Sequence, residues 1–297
     1  MTTVDEQKKI WTILDLVQWG TSYLTDKGFD ESRLTIELLL ASVLHYRRID
    51  LYTKFEQPLT ETELATFKKL LQRRLAHEPL QYILGETEFM GLVFAVDRRV
   101  LIPRPETEIV VETTLEILQK SFSSLKEVRI LEIGTGSGCI AVSCAKLFPT
   151  CFIHATDVSS DALEVASTNA TVHEVENRII FSVQDILNVR SDSFSHRFSL
   201  IVSNPPYVSE NEFQKLSPEV RDFEPKKALT DGADGLTFYR SISAIAGEIL
   251  EKNGIVLVEH AYDQSEAVRT IFLEKNWRIL KTRTDHSGHL RCVVAQK

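Results

Sequence analysis

This 297-residue chain has no apolar run long enough to cross a bilayer: the longest, around Leu38-Leu39-Leu40-Ala41-Ser42-Val43-Leu44, falls far short of the roughly 20 residues a span needs. The first twenty residues carry Asp5, Glu6, Lys8, Lys9 and Asp15, so no signal-peptide core is expected there and the protein reads as cytoplasmic. There are only four cysteines, at 139, 144, 151 and 292, none in a Cys-x-x-Cys pair and none matched by a histidine at zinc-finger spacing. No metal site is expected, and Cys139 and Cys144 read as small buried thiols. Positive charge is also in short supply. Lys and Arg number 34 against 42 Asp and Glu, a net charge of −8, which argues against wholesale binding of nucleic-acid phosphates. The eight histidines are scattered, with no Ser-His-Asp or Cys-His pattern, and His154 inside an apolar run reads as a core residue. No repeat or low-complexity tract is present. What remains is the composition of a soluble globular protein, 43% hydrophobic and 26% charged, long enough for two units.

The spacing of apolar residues divides the chain. Residues 1–78 read as a small helical bundle. Ile10, Ile13, Leu14, Val17 and Leu24 form one stripe, Leu34, Ile36, Leu39, Leu40, Val43 and Leu44 a second, and Leu64, Phe67, Leu71 and Leu75 a third, opened by a Thr60/Glu63 capping box. Lys68, Lys69, Arg73 and Arg74 on the last helix read as a solvated basic face, with contact to an acidic or RNA-bound partner as the alternative. Residues 79–100 read as a β-hairpin linker around Glu86–Gly91. Over 101–297 strands and helices alternate, which predicts an α/β fold with a mostly parallel sheet. Trp277–Lys281 and Leu290–Val294, joined by a turn at His286–His289, read as a final antiparallel pair. Residues 208–236 contain no convincing strand, and so long a connection is expected to face a substrate.

Asn204-Pro205-Pro206-Tyr207 is the strongest local signal. It follows the strand-like run Phe198–Val202, and its two prolines stop that strand and remove two backbone N–H donors. Nearby carbonyls are left to accept from a ligand. The Asn204 carboxamide and the Tyr207 ring flank them. Such a set suits a flat, neutral NH2 group, either a planar amide or an exocyclic amine. Asn204 Oδ1 and the Pro205 carbonyl would take its two protons, and Tyr207 would pack on its plane. Taken alone, the four residues also fit an ordinary loop after a strand.

Seventy residues upstream, the strand-like Val128–Ile133 runs into Gly134-Thr135-Gly136-Ser137-Gly138, and helical spacing resumes at Cys139. A strand, a glycine turn and a helix start form a cofactor cradle. The next strand-like stretch ends at Asp157, twenty-one residues after Gly136, where a carboxylate can accept from both hydroxyls of a ribose. A dinucleotide fingerprint would need glycine at position 139, which is Cys139 here. The spacing instead favours S-adenosylmethionine, which has no pyrophosphate. After Ile179–Val183, Asp185 can accept from an adenine amine while Ile186 packs on the ring; a plain turn acid is the alternative for Asp185.

The order of glycine turn, two acids and Asn-Pro-Pro-Tyr resembles the class I S-adenosylmethionine-dependent methyltransferases, a Rossmann-like fold with a mostly parallel seven-stranded sheet. Further residues resemble the bacterial peptide chain release factor N5-glutamine methyltransferase family: Pro79–Gly85 with Phe89, Gly91 and Phe94; Val100–Glu108; Phe223-Glu224-Pro225; Asp234-Gly235-Leu236; Tyr239-Arg240; and Glu259-His260. Two positions depart from the common pattern, Ala261 after Glu259-His260 and Glu132 before the glycines.

The resemblance implies methyl transfer to the glutamine amide of the Gly-Gly-Gln motif in class I release factors. Residues 1–78 carry no cofactor motif and are therefore expected to recognise the protein substrate; a monomer, no direct DNA binding and no membrane are also expected. The resemblance also implies that Arg104 and Glu106 lie near the cofactor; the alternative is that they only brace the domain junction. An N6-adenine methyltransferase and a non-catalytic S-adenosylmethionine-binding module remain as alternatives.

Overall fold

The computed structural model describes residues 9–123, 125–285 and 287–297; residues 1–8 and His286 of the expected final turn lie outside that set. The chain divides into two compact units, Met1–Leu84 and Gly85–Lys297.

The first unit is helical: α1 Ile13–Asp26, α2 Ser32–Leu44, α3 Arg48–Thr53, α4 Glu61–Leu75 and α5 Leu80–Leu84. The expected stripes supply its core, with Ile13, Leu16, Val17, Leu24, Ile36, Leu39, Leu40, Phe67 and Leu71 all buried. Thr60 and Glu63 form the capping box of α4, and Thr12 with Asp15 forms another on α1. The backbones of α1 and α2 come close at Gly20, where a Cβ would stand 2.8 Å from Ile36 Cδ1. Glu37 is buried in α2, yet three donors hold its carboxyl below the usual range against the cost of burial: Arg33 Nε and Arg48 Nε at 2.7 Å, and Tyr52 Oη at 2.8 Å.

The basic face of α4 needs correction. Lys68 and Lys69 are exposed, but Arg73 is only partly exposed and ion-paired, and Arg74 is buried. Arg73 pairs with Glu78 at 2.8 Å and donates to the carbonyls of Tyr82 and Ile83. Arg74 is buried, donates to the Glu78 carbonyl and stacks over Phe29.

The second unit opens with a hairpin, β1 Glu86–Phe89 and β2 Leu92–Ala95. Its turn residues Met90 and Gly91 both have positive φ, +52° and +70°, the backbone twist that suits a two-residue hairpin. The alternating elements follow: α6 Glu108–Ser121, β3 Val128–Ile133, α7 Cys139–Leu147, β4 Cys151–Asp157, α8 Ser160–Val172, β5 Ile179–Val183 and β6 Phe198–Ser203. Then come α9 Glu210–Phe213, α10 Pro218–Arg221, α11 Lys226–Leu229, α12 Thr237–Ile249, β7 Leu250–Glu259, α13 Ser265–Glu274, β8 Arg278–Thr284 and β9 Leu290–Gln296.

The seven strands β3 to β9 make one sheet in the order β5-β4-β3-β6-β7-β9-β8. Those from β3 to β7 pair in parallel, and β9 is antiparallel to both of its neighbours. Side chains alternate between two cores. Ile130, Ile153, Leu200 and Leu257 join the core on the side of α6, α7 and α8, together with hairpin residues Phe89 and Phe94. Leu131, Ile201, Val256 and Val258 face the core that includes α12 and α13. The fold is the expected Rossmann-like α/β methyltransferase sheet preceded by a helical unit. The strand order reverses between β3 and β6, and ligands of such sheets bind beyond the strand carboxyl ends at that switch.

Candidate functional site

At the switch, Ile133 of β3 pairs with Ser203 of β6, and Ser203 Oγ donates to the Ile133 carbonyl at 2.8 Å. The chain therefore leaves both strands side by side, into Gly134 on one and Asn204 on the other. A cavity of about 420 Å³ lies against them, within the usual size of a small-molecule site. Gly134, Gly136, Asp157, Asp185, Ile186, Asn204, Pro205 and Pro206 all line it, so the candidate residues read from four separate stretches of sequence converge on one cleft.

Each turn glycine has its own reason. All three have positive φ. At Gly138 a Cβ would meet Ala166 Cβ at 3.0 Å, so this glycine lets α7 approach α8. At Gly136 a Cβ would meet nothing within 4 Å, because the space beside it is cleft. The amides of Gly134 and Thr135 donate to the Thr156 carbonyl, that of Gly138 to the Thr135 carbonyl, and that of Gly136 to Asp157 Oδ2 at 2.9 Å. These donors are spent within the fold and offer no nest to a pyrophosphate. The donor set matches a ligand without one. Thr135 and Ser137 are buried, Thr135 Oγ1 donating to Glu132 and the Ser137 carbonyl accepting from Asn169, so both brace the turn rather than line the cleft.

Asp157 Oδ1 accepts the Ser159 amide, so its two oxygens tie β4 to the start of α8 and to the glycine turn. Burial pushes its carboxyl above the usual range, and the backbone donors pull the other way. Asp185 accepts from the Leu187 amide and from Asn188 Nδ2, and Ile186 packs against the core beside α12.

On the acceptor side, Asn204 Nδ2 donates to Thr107 Oγ1 at 3.1 Å. Thr107 closes the Pro105–Thr107 turn just before α6, ninety-seven residues away in sequence. The Tyr207 carbonyl accepts from Gln264 Nε2, and its hydroxyl lies 3.5 Å from Glu259 Oε1. Gly235 has φ +79°, and a Cβ there would stand 2.3 Å from the Tyr207 carbonyl oxygen, so only glycine permits that approach.

The stretch 208–236 holds α9, α10 and α11 and a parallel bridge between Val208 and Thr230. Asp231 fixes its far end by accepting the amides of Ala233, Gly235 and Thr237, and Asp231 itself lines the cleft. Arg104 pairs with the buried Glu224, which also accepts the Ile102 amide, and Arg98 lies over the Phe223 ring. Those contacts explain why the 100–105 and 223–225 segments go together. Glu106 lies 3.9 Å from Arg291.

Two buried carboxyls sit behind the cleft. Burial, helped by the charge of Asp157, raises Glu132 to about 8, and the Thr135 hydroxyl and the Ala141 amide oppose it. Burial raises Glu259 to about 7, and the nearby Thr107 hydroxyl and the charge of Arg291 oppose it. Sequence reasoning assigned neither Thr107 nor Glu259 a role, although both fall inside stretches that carry the family resemblance. Among the described residues no group of three or more His, Cys, Asp or Glu could hold a metal ion, and no helix is long and apolar enough to cross a membrane.

Comparison with known proteins bears on this arrangement. The family described as PrmC N-terminal domain matches residues 15–85, and the methyltransferase small domain matches residues 109–220. The chain is 43% identical to the release factor glutamine methyltransferase of Chlorobaculum tepidum, over 89% of this chain and 90% of that one. It is 40% identical to the protein of the same name from Geobacter sulfurreducens, over 97% and 98%. A third such protein, from Nitratidesulfovibrio vulgaris, is 38% identical over 96% and 95%.

Proposed function

The chain belongs to the release factor glutamine methyltransferase family, and on that premise we propose that the cleft at the β3–β6 switch is where cofactor and substrate glutamine meet. The enzyme transfers a methyl group from S-adenosylmethionine to the side-chain amide nitrogen (N5) of the glutamine in the Gly-Gly-Gln motif of class I peptide chain release factors. The observation that carries the site assignment is the adjacency of Gly134 and Asn204 at paired strand ends, which brings the cofactor signature and the acceptor signature to one cavity.

When bound, S-adenosylmethionine supplies an electrophilic methyl on a cationic sulfonium. Asp157 accepts from the ribose hydroxyls with the lone pairs its backbone bonds leave over. Asp185 accepts from the adenine amine, and Ile186 covers the ring. On the other side the glutamine nitrogen is a weak nucleophile, because its lone pair is delocalised into the carbonyl. Asn204 Oδ1 and the Pro205 carbonyl accept hydrogen bonds from its two N–H groups and hold the nitrogen in line, while Tyr207 packs on the amide plane. These are positioning and electrostatic contributions. No strong base is needed, since a nitrogen that has gained a methyl gives up its proton readily to water.

The helical unit Met1–Leu84 contributes none of these residues and is assigned to recognition of the protein substrate. The same reading has the enzyme act in the cytoplasm, as a monomer, without binding DNA directly. Labelled-methyl transfer tests it. Intact release factor should be labelled, while a release factor with the Gly-Gly-Gln glutamine changed to alanine should not. Labelling of duplex DNA instead would assign the cleft to an adenine amine, and labelling of neither would leave only a binding module.

A further inference from the structure

The Asn204–Tyr207 turn has little means of holding its own shape, because Pro205 and Pro206 have no N–H to donate. Its upstream end is fixed by β6, where Ser203 pairs with Ile133 and with Val258. Its downstream end is the peptide group that joins Tyr207 to Val208. A trans peptide is planar, with its C=O and N–H pointing opposite ways, so a bond at each fixes the plane. Both bonds are present. The Val208 amide donates to the Leu229 carbonyl at 2.9 Å, and the Tyr207 carbonyl accepts from Gln264 Nε2 at 2.9 Å.

The surroundings of Gln264 dictate which end of its carboxamide reaches Tyr207. Oε1 accepts the Ala261 amide at 3.3 Å, which leaves the NH2 end to donate across to the carbonyl. The backbone beneath is rigid. Gln264 opens α13, its own amide donating to the Ala261 carbonyl and its carbonyl accepting the Val268 amide, both at 3.0 Å. Val268 and Phe272 then bury α13 in the core shared with Val258 of β7 and Val293 of β9. Gly235 keeps the path clear. A Cβ there would stand 2.9 Å from Gln264 Nε2 as well as 2.3 Å from the Tyr207 oxygen. Three segments distant in sequence therefore meet at one carbonyl.

We propose that Gln264 is a positioning residue for methyl transfer. It sets the plane of the 207–208 peptide, and through the turn it sets where the Asn204 amide and the Pro205 carbonyl stand. Gln264 itself is not among the residues that line the cleft, so it acts only through that turn. The inference rests on the reading of Asn204–Tyr207 as the site that holds the substrate amide. Stability and rate should respond unequally to loss of the bond. Water can replace a neutral donor at a partly exposed side chain, so the fold loses little. A displacement of about 1 Å at the reacting group can cost on the order of 100-fold in rate.

The test is single-turnover methyl transfer to intact release factor at saturating cofactor. The KM for release factor, the affinity for S-adenosylhomocysteine and the melting temperature are measured on each variant. Gln264→Met, which keeps the length and loses the NH2 group, should slow transfer about 10- to 100-fold. KM and S-adenosylhomocysteine affinity should stay within about twofold, and melting should fall by no more than about 2–4 °C. Gln264→Glu keeps the shape and the acceptor for Ala261 but turns an oxygen on the Tyr207 carbonyl. It should be at least as slow, and it carries the test where Gln264→Met fails to fold. A folded Gln264→Met or Gln264→Glu enzyme of normal rate overturns the proposal. So does a slow variant whose cofactor affinity falls in step with its rate. Asn204→Ala in the same assay separates the two ideas. If it is slow while Gln264→Met is normal, only the role of Gln264 fails; if Asn204→Ala is itself normal, the reading of the turn fails with it.

Discussion

Ser159 Oγ accepts the Ala162 amide at 3.2 Å, which makes Ser159 the cap of α8 and relieves Asp157, two residues earlier, of that duty. The Asp157 carboxylate still braces the glycine turn, but each of its oxygens keeps a lone pair for a ligand.

Replacing Asp157 by alanine should therefore weaken S-adenosylhomocysteine binding on the order of 100-fold or more. Two hydroxyls lose a charged acceptor, and each such bond contributes roughly 1.5–3 kcal/mol. Calorimetric titration measures this directly. A dissociation constant that stays put would reduce the carboxylate to a brace between β4 and the turn.

Gly136 and Gly235 should respond differently to alanine. At Gly136 the new methyl enters open space beside the cleft, so the fold should lose only the ~1–2 kcal/mol of a left-handed residue while cofactor affinity drops. At Gly235 the methyl would collide with the Tyr207 carbonyl oxygen, so both melting temperature and turnover should fall. Thermal melts and titrations of the two variants should rank oppositely, and equal melting temperatures would contradict the collision.

Glu132 predicts a pH dependence of stability. Its carboxyl is raised by burial from an ordinary 4.5 to about 8. Between those values the folded chain holds a proton that the unfolded chain has released. Its contribution to stability is full below pH 4.5 and is lost as pH rises to 8, by about 1.4 kcal/mol per pH unit within the window. Glu132→Gln cannot titrate. Its stability relative to the wild type should thus rise from pH 5 to pH 8 in urea titrations, and a difference that is flat across that range would rule the effect out.

Assignment of the helical unit to recognition makes isolated Gly-Gly-Gln peptides poor substrates of the full chain, because remote binding energy helps to position the amide. A chain starting at Gly85 should keep S-adenosylhomocysteine binding and lose its preference for intact release factor over peptide. Should the folded shorter chain still discriminate as strongly, recognition lies in residues 208–236.

Much of the sheet was legible because its central strands are rich in apolar residues and end in punctuation. Val128–Ile133 and Ile179–Val183 match their elements residue for residue. The antiparallel pairing of the last two strands also follows the sequence reading. What escaped depends on closure of the chain in space. Arg73 looks like a surface charge until α5 brings the Tyr82 and Ile83 carbonyls to it, and Arg74 until the Glu78 carbonyl meets it. Thr107 is an ordinary turn residue until β6 delivers Asn204 to it. The charged start of β7, Glu251-Lys252-Asn253, broke the apolar pattern that would have marked that strand. Local patterning reports which face is buried, while pairing across a hundred residues leaves no local trace.

All four cysteines are buried and unpaired, and Cys139 and Cys144 lie on α7, immediately after the glycine turn. Burial raises their thiols, Cys139 to about 12, so they do not react while the structure is closed. Alkylation at these positions thus counts openings of the molecule, with α7 reporting beside the cofactor cradle and Cys292 reporting on β9. The protein carries its own clock for local unfolding, and a ligand that clamps the glycine turn should slow the α7 thiols more than the β9 thiol.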